Sequence, residues 1–471
     1  MTAKKKTKEI EKLLKLTPRP AWDVLNQRER KTALDFCEDY KAFLDAARTE
    51  REAVREIVVR AEAKGFKETA LKKVSKYMKI NRDKTIALAV TGRRPLTEGF
   101  RIVISHIDAP RLDLKQNPLY EDVDLALLRT HYYGGIKKYQ WVAIPLAIHG
   151  TIIKKDGTRL ELVMGEDDKD PVFTICDLLP HLSHKTQDSK KLRDAIAGEK
   201  LTILAGSIPF PDEDAKERFK LRVLEILNER WGLVEEDFLS AEIEVVPAFR
   251  TRDVGFDASM VGGYGQDDRV CAYCGLQAIL SLEAQPEWTS IALFLDKEEI
   301  GSDGNTGAKS TFLEIVVSDL LRLTGHKPAS EALRRALFNA KALSADVNGA
   351  INPNYQEVHE KQNAARLGYG VCVTKFTGSG GKYNANDASA EYVGEIRRLF
   401  NENGVIWQMA ELGKVDEGGG GTIAKYLAKY GMDMIDCGTA LLGMHSPFEV
   451  ASKMDVYETF KAYRVFFTAG D

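Results

Sequence analysis

Ile291-Ala292-Leu293-Phe294-Leu295-Asp296-Lys297-Glu298-Glu299-Ile300-Gly301-Ser302 passes from an apolar run to a cluster of carboxylates within a few residues. A short apolar run bounded by charge reads as a buried strand, and Gly301 permits a sharp bend behind it. Successive side chains on an extended segment point to opposite faces, so Glu298 and Glu299 diverge unless a loop aims both inward. A buried strand ending in adjacent carboxylates can place one on a cation and leave its neighbour as a base. The ordinary alternative is a solvated acidic turn, because charged side chains mostly lie exposed.

The same change from apolar run to ligand-type residue recurs along the chain. Ile102-Val103-Ile104 is a β-branched run that ends in Ser105-His106-Ile107-Asp108. A metal-bound imidazole needs its other nitrogen engaged, and Asp108 is a local candidate for that support. Gly265-Gln266-Asp267-Asp268-Arg269 follows a glycine-rich turn and opens an apolar helix; one aspartate is expected to cap it, leaving the other free to ligate. Ala342-Leu343-Ser344-Ala345 ends in Asp346, and Leu441-Leu442-Gly443-Met444 leads into His445-Ser446-Pro447. Either histidine alone reads equally well as structural. Together, two His, two Asp and a Glu stand where strands give way to loops, the place where ligand sites form in an open α/β sheet. Mixed nitrogen and carboxylate donors suit zinc, cobalt or manganese better than magnesium or calcium.

Composition narrows the remaining classes. A chain of 471 residues has room for two or three domains, and its net charge of −3 offers no footprint for nucleic acid or an anionic membrane. The longest apolar stretch, Trp141 to Ile153, is broken by Pro145, His149 and Gly150 and is too short to span a bilayer. Lys4-Lys5-Lys6 leads into charged residues without a signal-peptide core, so a cytoplasmic protein is expected. The CxxC of Cys271 and Cys274 has no second pair to complete a zinc knuckle and reads as two small core side chains. Helical spacing from Arg28 to Phe66 gives way between residues 111 and 250 to short extended runs and charged turns. After Asp257 helices and strands alternate again, ending in a face of Val456, Phe460, Tyr463 and Phe467. The pattern predicts an α/β fold, a three-layer domain with a mostly parallel central sheet, in two segments (1–110 and 251–471) around a β-rich insertion at 111–250.

Ser105-His106-Ile107-Asp108-Ala109-Pro110, Asp267-Asp268-Arg269, Asp296 to Ser302, Ser344-Ala345-Asp346 and Met444-His445-Ser446, in that order, resemble the aspartyl aminopeptidase family of dinuclear zinc metallopeptidases. The resemblance runs from about Thr91 to the C-terminus. It implies a metalloaminopeptidase with two divalent ions per subunit, zinc foremost, acting on peptide substrates. His106, Asp267 and Asp346 would hold one ion, and Asp267, Glu299 and His445 the other. Glu298 would be the general base, with Asp108 supporting His106. The resemblance further implies a homo-oligomer, a tetrahedral dodecamer, assembled through the inserted domain. His181, in Leu179-Pro180-His181-Leu182, would reach a neighbouring subunit's site, and Lys375 would pair with an acidic substrate side chain. Asn352-Pro353-Asn354 and Gly349 stand where acid-selective members carry histidines, so acidic preference is an expectation only. Gly418 to Gly421, followed by Thr422, read as backbone lining the substrate cleft. Two alternatives remain: a deacylase or carboxypeptidase on the same metal pair, and a non-catalytic shell-forming protein.

Overall fold

Residues 3–68, 75–325 and 329–470 are described by a computed structural model. The apolar runs pair into an eight-stranded sheet in the order Lys76–Asn81, Thr85–Val90, Ser290–Leu295, Arg101–His106, Lys341–Ser344, Asp433–Gly438, Val371–Thr374 and Trp407–Met409. The four central strands run parallel; Thr85–Val90 is antiparallel to them on one side, with its hairpin partner Lys76–Asn81 outside it, and Val371–Thr374 is antiparallel to them on the other. Side-chain alternation divides each strand between two cores. Val103, Ala292, Phe294 and Leu343 join one apolar cluster with helices Gln27–Ala46, Glu50–Ala63, Gln266–Leu280, Ala390–Glu402 and Lys453–Thr468. Ile102, Ile104, Leu293 and Ala342 join the other with helices Phe312–Leu323 and Ser330–Phe338. Three layers result. The first two long helices start at capping boxes, Asn26 with Glu29 and Thr49 with Glu52, each of which satisfies two otherwise unpaired backbone groups.

Residues 111–247 supply a separate six-stranded antiparallel sheet with its own core, including Leu112, Trp141, Leu146, Val245 and Val246. Helix Arg218–Trp231 packs on it, an element that the extended texture of the sequence had hidden. A third sheet of five short strands was also not foreseen. It joins Arg252–Val254, Met260–Gly263, Glu449–Ser452, Ala440–Leu442 and Asn348–Gly349. Cys271 and Cys274 are buried and free, as core side chains should be.

Candidate metal centre

Parallel pairing fixes where the first ligands meet. Leu295 stands beside His106, and Ser344 beside Ile104, so the residues after each strand emerge at one edge of the sheet. There the chain turns through Lys297 at φ 67°, Gly301 at φ 93° and Ser302 at φ 61°. The bend therefore draws on two non-glycine residues in the left-handed region as well as on Gly301. Asp108 stabilises it: its two carboxylate oxygens accept the backbone N–H of Glu298 (3.1 Å) and of Glu299 (3.2 Å).

The third sheet delivers the other two. Asp267 follows the strand Met260–Gly263, and His445 lies in the connection between Ala440–Leu442 and Glu449–Ser452 at φ 65°. Buried Glu449 ties them together, Oε2 accepting the Asp267 N–H at 3.1 Å and Oε1 the His445 N–H at 2.7 Å. The expected N-cap is corrected here. Asp267 and Asp268 have non-helical backbone angles, and neither side chain caps the helix. Asp268 Oδ2 instead accepts the His106 N–H at 3.3 Å.

Asp267 lies between the histidines, with Oδ1 3.2 Å from His106 Nε2 and Oδ2 3.1 Å from His445 Nε2. Asp346 Oδ1 is 4.0 Å from His106 Nε2, and Glu299 Oε1 is 3.5 Å from His445 Nε2. Donor atoms of His106, Asp267 and Glu299, and of His106, Asp268 and Asp346, converge within 4.8 Å in each group. Glu299 Oε1 is buried without a hydrogen-bond partner, a costly state that a cation would relieve. The donors present therefore fit divalent metal. Each histidine has its other nitrogen engaged: His106 Nδ1 lies 3.0 Å from the Asp108 carbonyl, and His445 Nδ1 lies 2.9 Å from the Gly135 carbonyl.

The electrostatics carry the same message. Burial pushes Glu299 and Asp346 well above the usual carboxylate range, and neighbouring carboxylates add to it. Burial also lifts Glu298 to about 7. Burial opposes charge on His445, but Asp267 and Glu299 outweigh it and raise the imidazole to about 10. In His106 the same contest, against Asp108 and Asp267, also ends well above the ordinary value. The two histidines act as counter-charges to these carboxylates, a role that bound cations would take over and so invert.

Asp267, Glu298, Glu299, Asp346 and His445 line a 240 Å³ cleft together with Thr374, Thr377, Leu412, Gly419 to Gly421, Thr422 and Met444. The structure thus brings most of the residues singled out in the sequence, and its glycine-rich segment, to one cleft. His181 is exposed on the short helix Pro180–Ser183 and is not among the residues that line the cleft. Lys375 follows the cleft-lining Thr374 but pairs with Asp387, which also binds Lys382 at 2.9 Å. Glu449, Tyr133 and Gly135 were missed. Glu449, four residues beyond His445, left the only local signal, an acidic residue at the start of a strand.

The sequence pattern of the aminopeptidase I zinc metalloprotease (M18) family matches residues 43–467. A probable M18 family aminopeptidase 1 from Clostridium acetobutylicum is 51% identical over 95% of this chain and 97% of its own length. The crystal structure of an M18 family aminopeptidase from Thermotoga maritima superposes with a TM-score of 0.91 at 48% identity, covering 96% of this chain and 99% of that one. Aminopeptidase I from Clostridium acetobutylicum gives 0.90 at 47% identity, covering 97% and 100%.

Proposed function

The chain belongs to the aminopeptidase I zinc metalloprotease (M18) family and is a metalloaminopeptidase, and from that premise we propose how its residues divide the work. His106, Asp267 and Asp346 hold one divalent ion; Asp267, Glu299 and His445 hold a second. The observation that supports this reading is the position of Asp267, whose two oxygens face one histidine each. Zinc is the proposed ion at both positions, and cobalt or manganese could use the same donors. Such a pair, when bound, supplies Lewis acidity to a scissile carbonyl and to a water nucleophile.

The chain's own groups do the rest. Glu298, without a ligand role and raised to about 7 by burial, takes the proton of the attacking water on a carboxylate oxygen and returns it to the leaving amine. Asp108 orients His106 and holds the Glu298-Glu299 turn. A free α-amino group entering the cleft meets an excess of carboxylate, which favours removal of the N-terminal residue. Acidic substrates are not singled out in this reading, because an acidic side chain would compete with Asp387 for Lys375.

Residues 111–250 serve assembly in the same proposal, and the oligomer is a dodecamer in which His181 completes a neighbour's site. The yeast aminopeptidase 1 dodecamer shares the fold at 21% identity. Among the described residues no helix is long and apolar enough to cross a membrane, in keeping with a cytoplasmic location. A panel of aminoacyl chromogenic amides, assayed with zinc, cobalt or manganese, tests the proposal. Release from free but not N-acetylated substrates is expected; equal cleavage of blocked substrates would replace the aminopeptidase chemistry with a deacylase or endopeptidase one.

A further inference from the structure

Resting on the reading of His106 and His445 as ligands, we infer that Tyr133-Gly134-Gly135, a segment of the β-rich unit, is a positioning element that fixes the ring nitrogens of both histidines. A ligating imidazole needs its second nitrogen bonded to set the tautomer and ring plane. For His445 that partner is the Gly135 carbonyl, 2.9 Å from Nδ1. For His106 it is Asp108, whose backbone carbonyl lies 3.0 Å and whose carboxylate Oδ1 lies 3.3 Å from Nδ1. The other carboxylate oxygen of Asp108 accepts the Tyr133 hydroxyl at 2.8 Å. One short segment thus reaches both histidines, directly in one case and through a single carboxylate in the other.

The packing leaves little freedom. A Cβ on Gly135 would stand 3.2 Å from His445 Nδ1, and one on Gly134 would stand 3.3 Å from Cβ and Oε2 of Glu299. Gly134 also has φ +73°, which L side chains rarely adopt. Tyr133 is the last residue of the strand Leu125–Tyr133 and pairs in register with Arg111, whose guanidinium lies 4.0 Å from the centre of its ring. Arg111 in turn meets Glu50, from the helical layer, at 3.3 Å. The segment is therefore anchored in the β-rich sheet while its polar atoms serve the α/β site. Metal affinity then depends on how the two units sit against each other.

The test uses the full chain and cobalt(II), titrated in competition with a chromophoric chelator. Gly135→Ala keeps an ordinary backbone angle and acts through the contact with His445; it should weaken one of the two cobalt positions by about 10 to 100-fold. Tyr133→Phe removes one oxygen and should weaken the His106 position by about tenfold. It carries the test alone if Gly135→Ala does not fold, as judged by circular dichroism of the metal-free proteins. Gly394→Ala, with open space around the new Cβ, should match the parent. Parent-like cobalt affinity in the folded variants overturns the inference. If His445→Ala also retains both ions at parent affinity, the ligand reading beneath it falls as well.

Discussion

Two buried clusters of histidine and carboxylate can be set side by side. At the junction of the β-rich unit with the helical layer, His149 lies between Glu52 (2.8 Å) and Glu166 (3.2 Å). Buried Arg48 meets Glu166, Arg111 meets Glu50 and Glu244, and Lys84 meets Glu50 and Glu242. At the sheet edge, His106 and His445 face Asp108, Asp267, Asp346 and Glu299, and among the described residues no lysine or arginine forms an ion pair with these carboxylates. The junction sets a cation of the chain itself against each acid; the metal centre leaves an excess of carboxylate for an outside cation. Desolvated charge without a partner is costly, so the imbalance persists because something else supplies the positive charge. The junction's acids each face a cation of the chain itself, and the cluster reads as structural.

Substitutions can break this contrast. Asp267→Asn should cause the largest change, because it removes charge from the one carboxylate shared by both positions; bound metal per chain, measured by elemental analysis, should fall at both and activity should vanish. Two tightly held ions in that variant would show that Asp267 does not bridge. Glu298→Gln comes next, with turnover lowered by about 10² to 10⁴-fold and metal content unchanged. Near-normal turnover would remove Glu298 from proton transfer.

The junction should answer in stability instead. Lys84→Met takes one cation from buried Glu50 and should cost about 3 kcal/mol in a denaturant titration, the low end for a broken buried pair, because Arg111 still faces Glu50. Metal content should not change; its loss would mean that the two clusters are one network. His149→Gln should give the smallest effect and the only one with a clear pH signature. Burial opposes charge on His149, but Glu166 and Glu52 raise it above its ordinary 6.5. Its stabilisation is therefore fully present below about pH 6.5 and is lost as pH rises through the folded value. Glu52 is shifted the opposite way: burial raises it, His149 outweighs that, and its contribution is lost as pH falls below its ordinary 4.5. The melting-temperature gap between parent and variant should be wide near pH 6 and narrow near pH 9. A gap independent of pH would make His149 a packing residue.

Much of the metal centre was legible because strand and loop share a local signature. Ile102 to Ile104, Ile291 to Leu295 and Ala342 to Ala345 are apolar runs, and burial on both faces leaves them no other reading as strands. The donor residues follow each run directly. The edge hairpin Lys76–Asn81 and Thr85–Val90 escaped notice, since polar residues interrupt the first of its strands. The role of Asp268 was misread because capping is the local expectation for an aspartate at a helix start, and only the neighbouring strand offers it the His106 N–H instead. Tyr133 and Gly135 gave no signal at all: they are separated from His445 by some 310 residues in the chain, and no periodicity links them.

The sequence by itself determined which residue types stand at strand ends, and with them the layered α/β fold, the metallopeptidase chemistry and the candidate ligands. Those are local properties, written in apolar runs and in the residues that terminate them. Tertiary structure alone decided how the ligands are aimed. Parallel register put His106, Glu299 and Asp346 on one edge, a third sheet brought Asp267 and His445 to meet them, and Glu449, Tyr133 and Gly135 supplied the hydrogen bonds that hold them there. Orientation depends on contacts between distant segments, and such contacts exist only once the chain has folded.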